Sequence, residues 1–222
     1  MRRQPLRLTA VAILLFAGAL PGIASASLID RGGGLIYDTD LDITWLADAN
    51  YAFTSGYDQQ DFTDGLMTYA YAMAWADQLT YGGFTNWRLP TTLQPDATCA
   101  NQYSFGSGQF NCTGSEMGHL FYTELGGTAF NSILGTADPD LALFTNVQSD
   151  GYWSEREFDA TFAWVFNFGY GLQAADQKVL GYYAWAVRDG DVSAVPAPGA
   201  AWLLGTGLLG VIGWARRRQA AA

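Results

Sequence analysis

Between residues 27 and 193 the chain sets short apolar stripes between turn-forming residues, and two periods can be read along it. Leu41, Ile43 and Trp45 alternate with Asp40, Asp42 and Thr44, which is the period of a half-buried strand. The stretch from Thr68 to Tyr81 puts Ala72, Trp75, Ala76 and Leu79 on one helical stripe, with Thr68 available as a cap and Gly82-Gly83 to end it. A second helix is predicted from Ser115 as N-cap, with Glu116 in its first turn and Gly126-Gly127 as its stop. Further on, Phe162, Trp164, Phe166 and Phe168 form one face of a strand, and Tyr183, Trp185 and Val187 one face of the last. No internal repeat is evident. Two helices early and strands late predict an α+β domain with short antiparallel strands.

The two ends follow a different logic. Arg2, Arg3 and Arg7 precede an uncharged apolar run over residues 8–20, and Ala24-Ser25-Ala26 supplies the small residues a signal peptidase accepts, so residues 1–26 predict a secretory signal peptide cut between Ala26 and Ser27. An uncleaved anchor is the alternative, but the run is short of the roughly 20 residues a span needs. At the other end Val195-Pro196-Ala197-Pro198 breaks the chain, residues 199–215 carry no charge, and Arg216-Arg217-Arg218 follows. At 1.5 Å per residue the apolar helix would span about 25 Å, and the arginines would stay cytoplasmic. This tail, residues 194–222, resembles the PEP-CTERM class of sorting signals, with alanine where the usual glutamate stands between the prolines. That resemblance implies an exosortase-like processing enzyme, a Gram-negative bacterium that makes exopolysaccharide, and an inner-membrane anchor that is transient. A permanent anchor is the alternative; an intact Arg218 in the mature protein would establish it.

Charge narrows the partners. The chain carries 11 Lys and Arg against 21 Asp and Glu, a formal net charge of −10. All 21 carboxylates lie between Asp30 and Asp191, whereas six arginines sit at the ends; with only Arg31, Arg88, Arg156, Lys178 and Arg188 in the middle, residues 27–193 stand at −16. Phosphate binding relies on clustered Lys and Arg, so nucleic acid is excluded as a partner. At 50% apolar residues the chain is not a disordered one.

The two cysteines, Cys99 and Cys112, belong to the segment read as exported, where an oxidising compartment favours a bridge; free thiols would label without prior reduction. Around them, residues 94–115 are rich in Gly, Ser and Asn with Tyr103, Phe105 and Phe110 interspersed, and these three rings are the candidate ligand surface. A solvated insertion without a ligand explains the same composition. Asp38-Thr39-Asp40-Leu41-Asp42 invites a calcium loop, but Ile43 stands where glycine is required and Ala49 where a bidentate glutamate is required, which leaves a strand edge with solvated aspartates. His119 is the only histidine, which removes His-rich zinc sites, and its place between Gly118 and Leu120 on a predicted helix is as easily structural as functional. No nucleophile motif, metal site or cofactor site emerges, and 21 scattered acids do not define a hydrolytic pair.

Seven blocks in order, Gly34-Leu35-Ile36-Tyr37-Asp38, Ile43-Thr44-Trp45-Leu46, Ala72-Met73-Ala74-Trp75-Ala76, Trp87-Arg88-Leu89-Pro90-Thr91, Tyr152-Trp153-Ser154, Ala163-Trp164-Val165-Phe166 and Ala184-Trp185-Ala186-Val187-Arg188, resemble the Lcl C-terminal-domain-like family. The resemblance spans about residues 30 to 190. It implies a compact C-type-lectin-like fold and a ligand-binding or adhesive role; the namesake binds sulfated glycans, which sits poorly with the acidic balance here. Gln94-Pro95-Asp96 is similar to the galactose-type calcium motif of C-type lectins, without a Trp-Asn-Asp partner. Trp45, Trp87, Trp153, Trp164 and Trp185 are expected in the core, or else as an exposed stacking platform for sugars. Arg88 is expected as a structural ion-pair partner in preference to a ligand clamp. The sequence thus predicts an exported, non-catalytic surface or exopolysaccharide-matrix protein that binds a glycan or envelope component, with a secreted polysaccharide-acting enzyme as the alternative.

Overall fold

The computed structural model describes residues 27–57, 64–100 and 108–192. Strands β1 (Leu28–Gly32), β2 (Leu35–Asp38) and β3 (Ile43–Leu46) form a meander, interrupted after β3 by one short helical turn, α1 (Tyr51–Thr54), and the longer helix α2 (Tyr69–Gln78). Strand β4 (Gln109–Phe110) precedes α3 (Glu116–His119), which continues directly as a π-helical turn over Leu120–Glu124. Two 3₁₀ turns lead to β5 (Gly151–Glu157), β6 (Phe162–Asn167), β7 (Leu172–Gln177) and β8 (Val187–Asp189). All named strand pairs are antiparallel, in two four-stranded sheets ordered β1-β2-β3-β8 and β4-β7-β6-β5. The architecture is α+β with three short helices, one more than the periodicity indicates.

The β1–β2 hairpin turns on Gly32, Gly33 and Gly34, all at positive φ, and a Cβ at Gly34 would lie 2.3 Å from the Tyr81 hydroxyl. The β2–β3 turn is held by Asp38, whose Oδ1 accepts from the Asp40 and Leu41 amides at 3.1 Å each. Here the expected strand is corrected: Asp40 and Asp42 belong to this turn, Asp42 takes φ 52°, and β3 begins only at Ile43 and is buried along its whole length. The caps differ too. Neither Thr68 nor Ser115 makes a side-chain cap bond; Ser115 Oγ accepts instead from Leu93 N at 2.9 Å.

The core is joined across the sheets by aromatic rings. Trp185 is fully buried, edge-on to Trp45 at 5.3 Å and Phe144 at 5.2 Å, with Tyr152 at 5.5 Å and Phe168 at 5.6 Å. Its Nε1 donates to Leu46 O at 2.7 Å, so the ring is fixed by a polar handle as well as by packing. The extended chain around it bonds both ways: Leu46 N to Ala186 O, and Trp153 N to Tyr183 O. All six tryptophans among the described residues are buried, which places them in the core and leaves no tryptophan platform there.

Candidate functional site

The chain leaving the π-helical turn builds a cleft of about 400 Å³ lined by Gly126, Gly127, Thr128, Asn131, Ser132 and Thr136, among others. Its hydroxyls and amide are set by local bonds: Asn131 Nδ2 donates to Thr128 Oγ1 at 2.9 Å, and Ser132 Oγ shares a 2.7 Å bond with Ser149 Oγ. Between two of these lining residues stands Phe130, 54% exposed, with its backbone at φ 69°. That left-handed conformation is unfavourable for a bulky side chain and persists only where neighbours enforce it. Here the enforcing contacts are the Phe130 amide, which donates to Tyr170 O at 2.8 Å, and the Phe110 ring, 4.2 Å centroid to centroid. Tyr170 is 57% exposed.

Of the three aromatic residues expected at a ligand surface, Phe110 is 7% exposed, paired with Leu172 across β4 and β7, and serves as the floor under Phe130. Tyr103 and Phe105 lie outside the described residues, as do Ala26, Val195, Pro196, Pro198, Arg216, Arg217, Arg218 and the apolar run 199–215. Among the described residues no helix is long and apolar enough to cross a membrane. Ser27 opens β1's edge, its carbonyl accepting from Thr39 N at 2.9 Å and its hydroxyl donating to Glu124 Oε2. Cys99 and Cys112 form the expected disulfide, and Ala100 N to Phe110 O at 2.9 Å ties the bridge to the aromatic floor.

A second group of side chains meets across the π-helical turn. Asp38, His119 and Glu124 each bring one ligand-type atom within 4.8 Å of the others. His119 and Glu124 are five residues apart; in an α-helix that spacing puts side chains about 140° apart around the axis, at 100° per residue. The π-helical widening, closed by Leu125 N to Leu120 O at 3.0 Å, brings them to the same side, and His119 Nε2 meets Glu124 Oε1 at 2.8 Å. Burial raises the Asp38 carboxyl; the Leu41 amide opposes this, the Glu124 charge adds to it, and His119 and the Trp45 indole offset part. His119 is raised by its bond to Glu124, against the cost of burial. Glu124 is pushed up by burial, but the bonds from His119 and Ser27 outweigh that and hold it below the ordinary carboxylate range. The expectation of solvated aspartates at 38–42 is therefore corrected: Asp40 and Asp42 are exposed, but Asp38 is fully buried.

The family model for the Lcl C-terminal domain matches residues 34–188, well over half of the chain and nearly all of the described fold. The chain belongs to the Lcl C-terminal domain family. No curated protein matches it.

In this Lcl C-terminal domain the Trp87–Thr91 block is an organising strut. Trp87 is buried with Nε1 donating to Phe84 O at 3.2 Å. Arg88 grips Glu116 through Nη1 and Nη2 at 2.8 and 2.7 Å and reaches Asp189 at 2.6 Å, while Glu116 also accepts from Thr91 N at 2.7 Å. Burial opposes the charge on Arg88, yet those bonds hold its pKa above the ordinary value. Asp96 of the calcium-like motif is used internally, with Oδ1 accepting from Thr98 N and Oγ1 and Oδ2 from Ser115 Oγ. Glu155, in a shallow cleft with Met73, Thr91, Thr92 and Arg156, is raised chiefly by burial, but the nearby acids Glu116 and Asp189 both hold Arg88.

Proposed function

We propose that this domain belongs to an exported, non-catalytic protein of the cell surface or exopolysaccharide matrix, and that it binds a neutral glycan or another envelope component in the cleft built by residues 126–137. The observation that carries this reading is the pairing of that cleft, lined by Thr128, Asn131 and Ser132, with Phe130, which is not itself a lining residue but carries on the same loop a large ring more than half exposed, on a backbone conformation it disfavours. Sugar rings pair an apolar face with a rim of hydroxyls, so an exposed aromatic beside short amide and hydroxyl side chains matches their chemistry. The acidic balance of the domain favours an uncharged glycan over a sulfated one. The enzyme reading has less support: the carboxylate pair with one raised member, Asp38 and Glu124, is sealed from any polymer, and Glu155 lacks an unengaged acidic partner.

Export and sorting rest on the two termini as sequence. The mature protein is expected to begin at Ser27 after signal peptidase and to lack Arg216–Arg218 after an exosortase-like enzyme; intact mass measurement of the protein recovered from the envelope reads both ends. Binding is tested on a glycan array with the exported protein and its Phe130→Ala variant. Loss of a stacked ring is expected to weaken retention at least about tenfold, equivalent to roughly 1.4 kcal/mol. A panel on which no glycan is retained, or retention indifferent to Phe130→Ala, refutes the cleft as a sugar site.

A further inference from the structure

The buried group between the end of β2 and the two ends of the π-helical turn holds more acid than base. Asp38 and Glu124 face one imidazole, and Asp38 is 0% exposed. Its Oδ1 is used by the Asp40 and Leu41 amides, while Oδ2 is buried without a partner at hydrogen-bond distance, and the group of the chain that acts on this carboxyl is the buried Trp45 indole N–H, likewise unpaired. A buried carboxylate oxygen without a donor is costly and demands an explanation. The cations of the described chain are committed elsewhere: Arg31 to Asp191, Arg88 to Glu116 and Asp189, Arg156 to the Gln94 carbonyl, Lys178 to Glu157, and Arg188 to Asn86.

We propose that Asp38, His119 and Glu124 are the protein ligands of a single divalent transition-metal ion of the zinc class. Three geometric facts carry this. Asp38, at the end of β2, converges by folding on His119 and Glu124, which one continuous helical segment presents five residues apart. Their ligand-type atoms lie within 4.8 Å of one another, against the roughly 3.4 Å donor separations that tetrahedral bonds of about 2.1 Å impose. Asp38 Oδ2 makes no hydrogen bond at normal distance, the unpaired Trp45 indole N–H being only loosely directed at this carboxyl, so it remains open to an ion. Around them, Ser27 Oγ donates to Glu124 Oε2 and orients that carboxylate, and Asp40 Oδ2 stands 4.0 Å from His119 Nε2 at the exposed side. A donor set of one imidazole and two carboxylates suits zinc or manganese; calcium prefers six to eight oxygens and is disfavoured by an imidazole in a closed site. The other group of this kind, Asp96 with Cys99 and Cys112, has its sulfurs consumed by the disulfide.

His119 is the only histidine in the chain, so its ring reports without ambiguity. Untagged full-length protein, stripped with chelator and labelled with ¹⁵N at histidine, is titrated with Zn²⁺ alone at constant neutral pH, by calorimetry and by imidazole NMR. One ion per chain is expected, with the His119 ring nitrogen signals moving to metal-bound positions at one equivalent, and with no displacement by millimolar Ca²⁺. Asp38→Asn and His119→Gln are each expected to lower the affinity at least about 100-fold. Absence of binding, or binding that leaves the imidazole signals in place, overturns the proposal, and this wild-type reading stands even if a variant fails to fold. Folded variants that retain wild-type affinity overturn it as well. The outcome is independent of glycan binding at the 126–137 cleft.

Discussion

Replacing Arg88 by methionine keeps the length of the apolar stem and removes the guanidinium fork, which isolates its electrostatic role. Glu116, with a side chain only 13% exposed, then keeps the Thr91 amide but loses two charged bonds of 2.8 and 2.7 Å. Stranding one member of a buried pair costs about 3–5 kcal/mol, and partial access of water to Arg88 places this case near 3. The Asp189 contact adds at most a few tenths, because that carboxylate is 76% exposed and well screened. A domain of about 160 residues unfolds with an entropy near 0.35 kcal/mol/K, so 3 kcal/mol corresponds to a fall in Tm of about 9 °C. Differential scanning calorimetry of wild type, Arg88→Met, Glu116→Gln and the double variant forms a thermodynamic cycle. The double variant is expected to recover much of the loss, because no uncompensated charge then remains. If Arg88→Met lies within 0.5 kcal/mol of wild type, or the double variant is no better than the single, the strut reasoning is wrong and Arg88 is available for a ligand.

Two further outcomes follow from the same geometry. Replacing Cys99 and Cys112 together by alanine removes a cross-link between residues 13 apart and is expected to lower unfolding stability by about 3 kcal/mol in urea titration; an unchanged midpoint would show that the bridge does not restrict the unfolded chain. Gly118→Ala would place a methyl 1.9 Å from the Cys112 carbonyl oxygen, a backbone atom that cannot step aside cheaply, so a loss of about 3 kcal/mol is expected, and a variant as stable as wild type would disprove the close approach of α3 to the disulfide segment.

How far the sequence revealed these features depends on the range over which each is encoded. Helix α2 was legible because Ala72, Trp75 and Ala76 repeat at helical spacing and do end up buried together. The disulfide was legible because only two cysteines exist. Strand β3 was misread because it is sandwiched between β2 and β8 and buried on both faces, which erases the period-two signal, while the alternating aspartates that mimicked it serve a turn. Phe130 was not singled out because nothing in its own neighbourhood announces a left-handed backbone; the constraint comes from Phe110 and Tyr170, 20 and 40 residues away. His119 was set aside as structural because its partner Glu124 sits at a spacing that only a π-helical turn makes productive, and because Asp38 is 81 residues upstream. The one signal available was a lone histidine followed five residues later by a glutamate, and that spacing points nowhere under α-helical geometry.

The two candidate sites are mechanically joined. The segment that delivers His119 and Glu124 to Asp38 runs on, within two residues, into Gly126 at φ 61° and the floor of the cleft. On its other side the segment is pinned to the turn after β6 by Tyr122 Oη to Gly171 O at 2.6 Å, Phe130 N to Tyr170 O and Ile133 N to Phe168 O, with the Phe121 ring against Phe166 and Phe168. One end of the loop therefore rests on an aromatic layer and the other on a cluster of ionisable groups. Asp138 brings a carboxylate to the cleft, its Oδ2 lying 3.2 Å from where a Cβ on Gly126 would stand. The cleft loop and the buried acidic group are thus carried by the same five-residue turn.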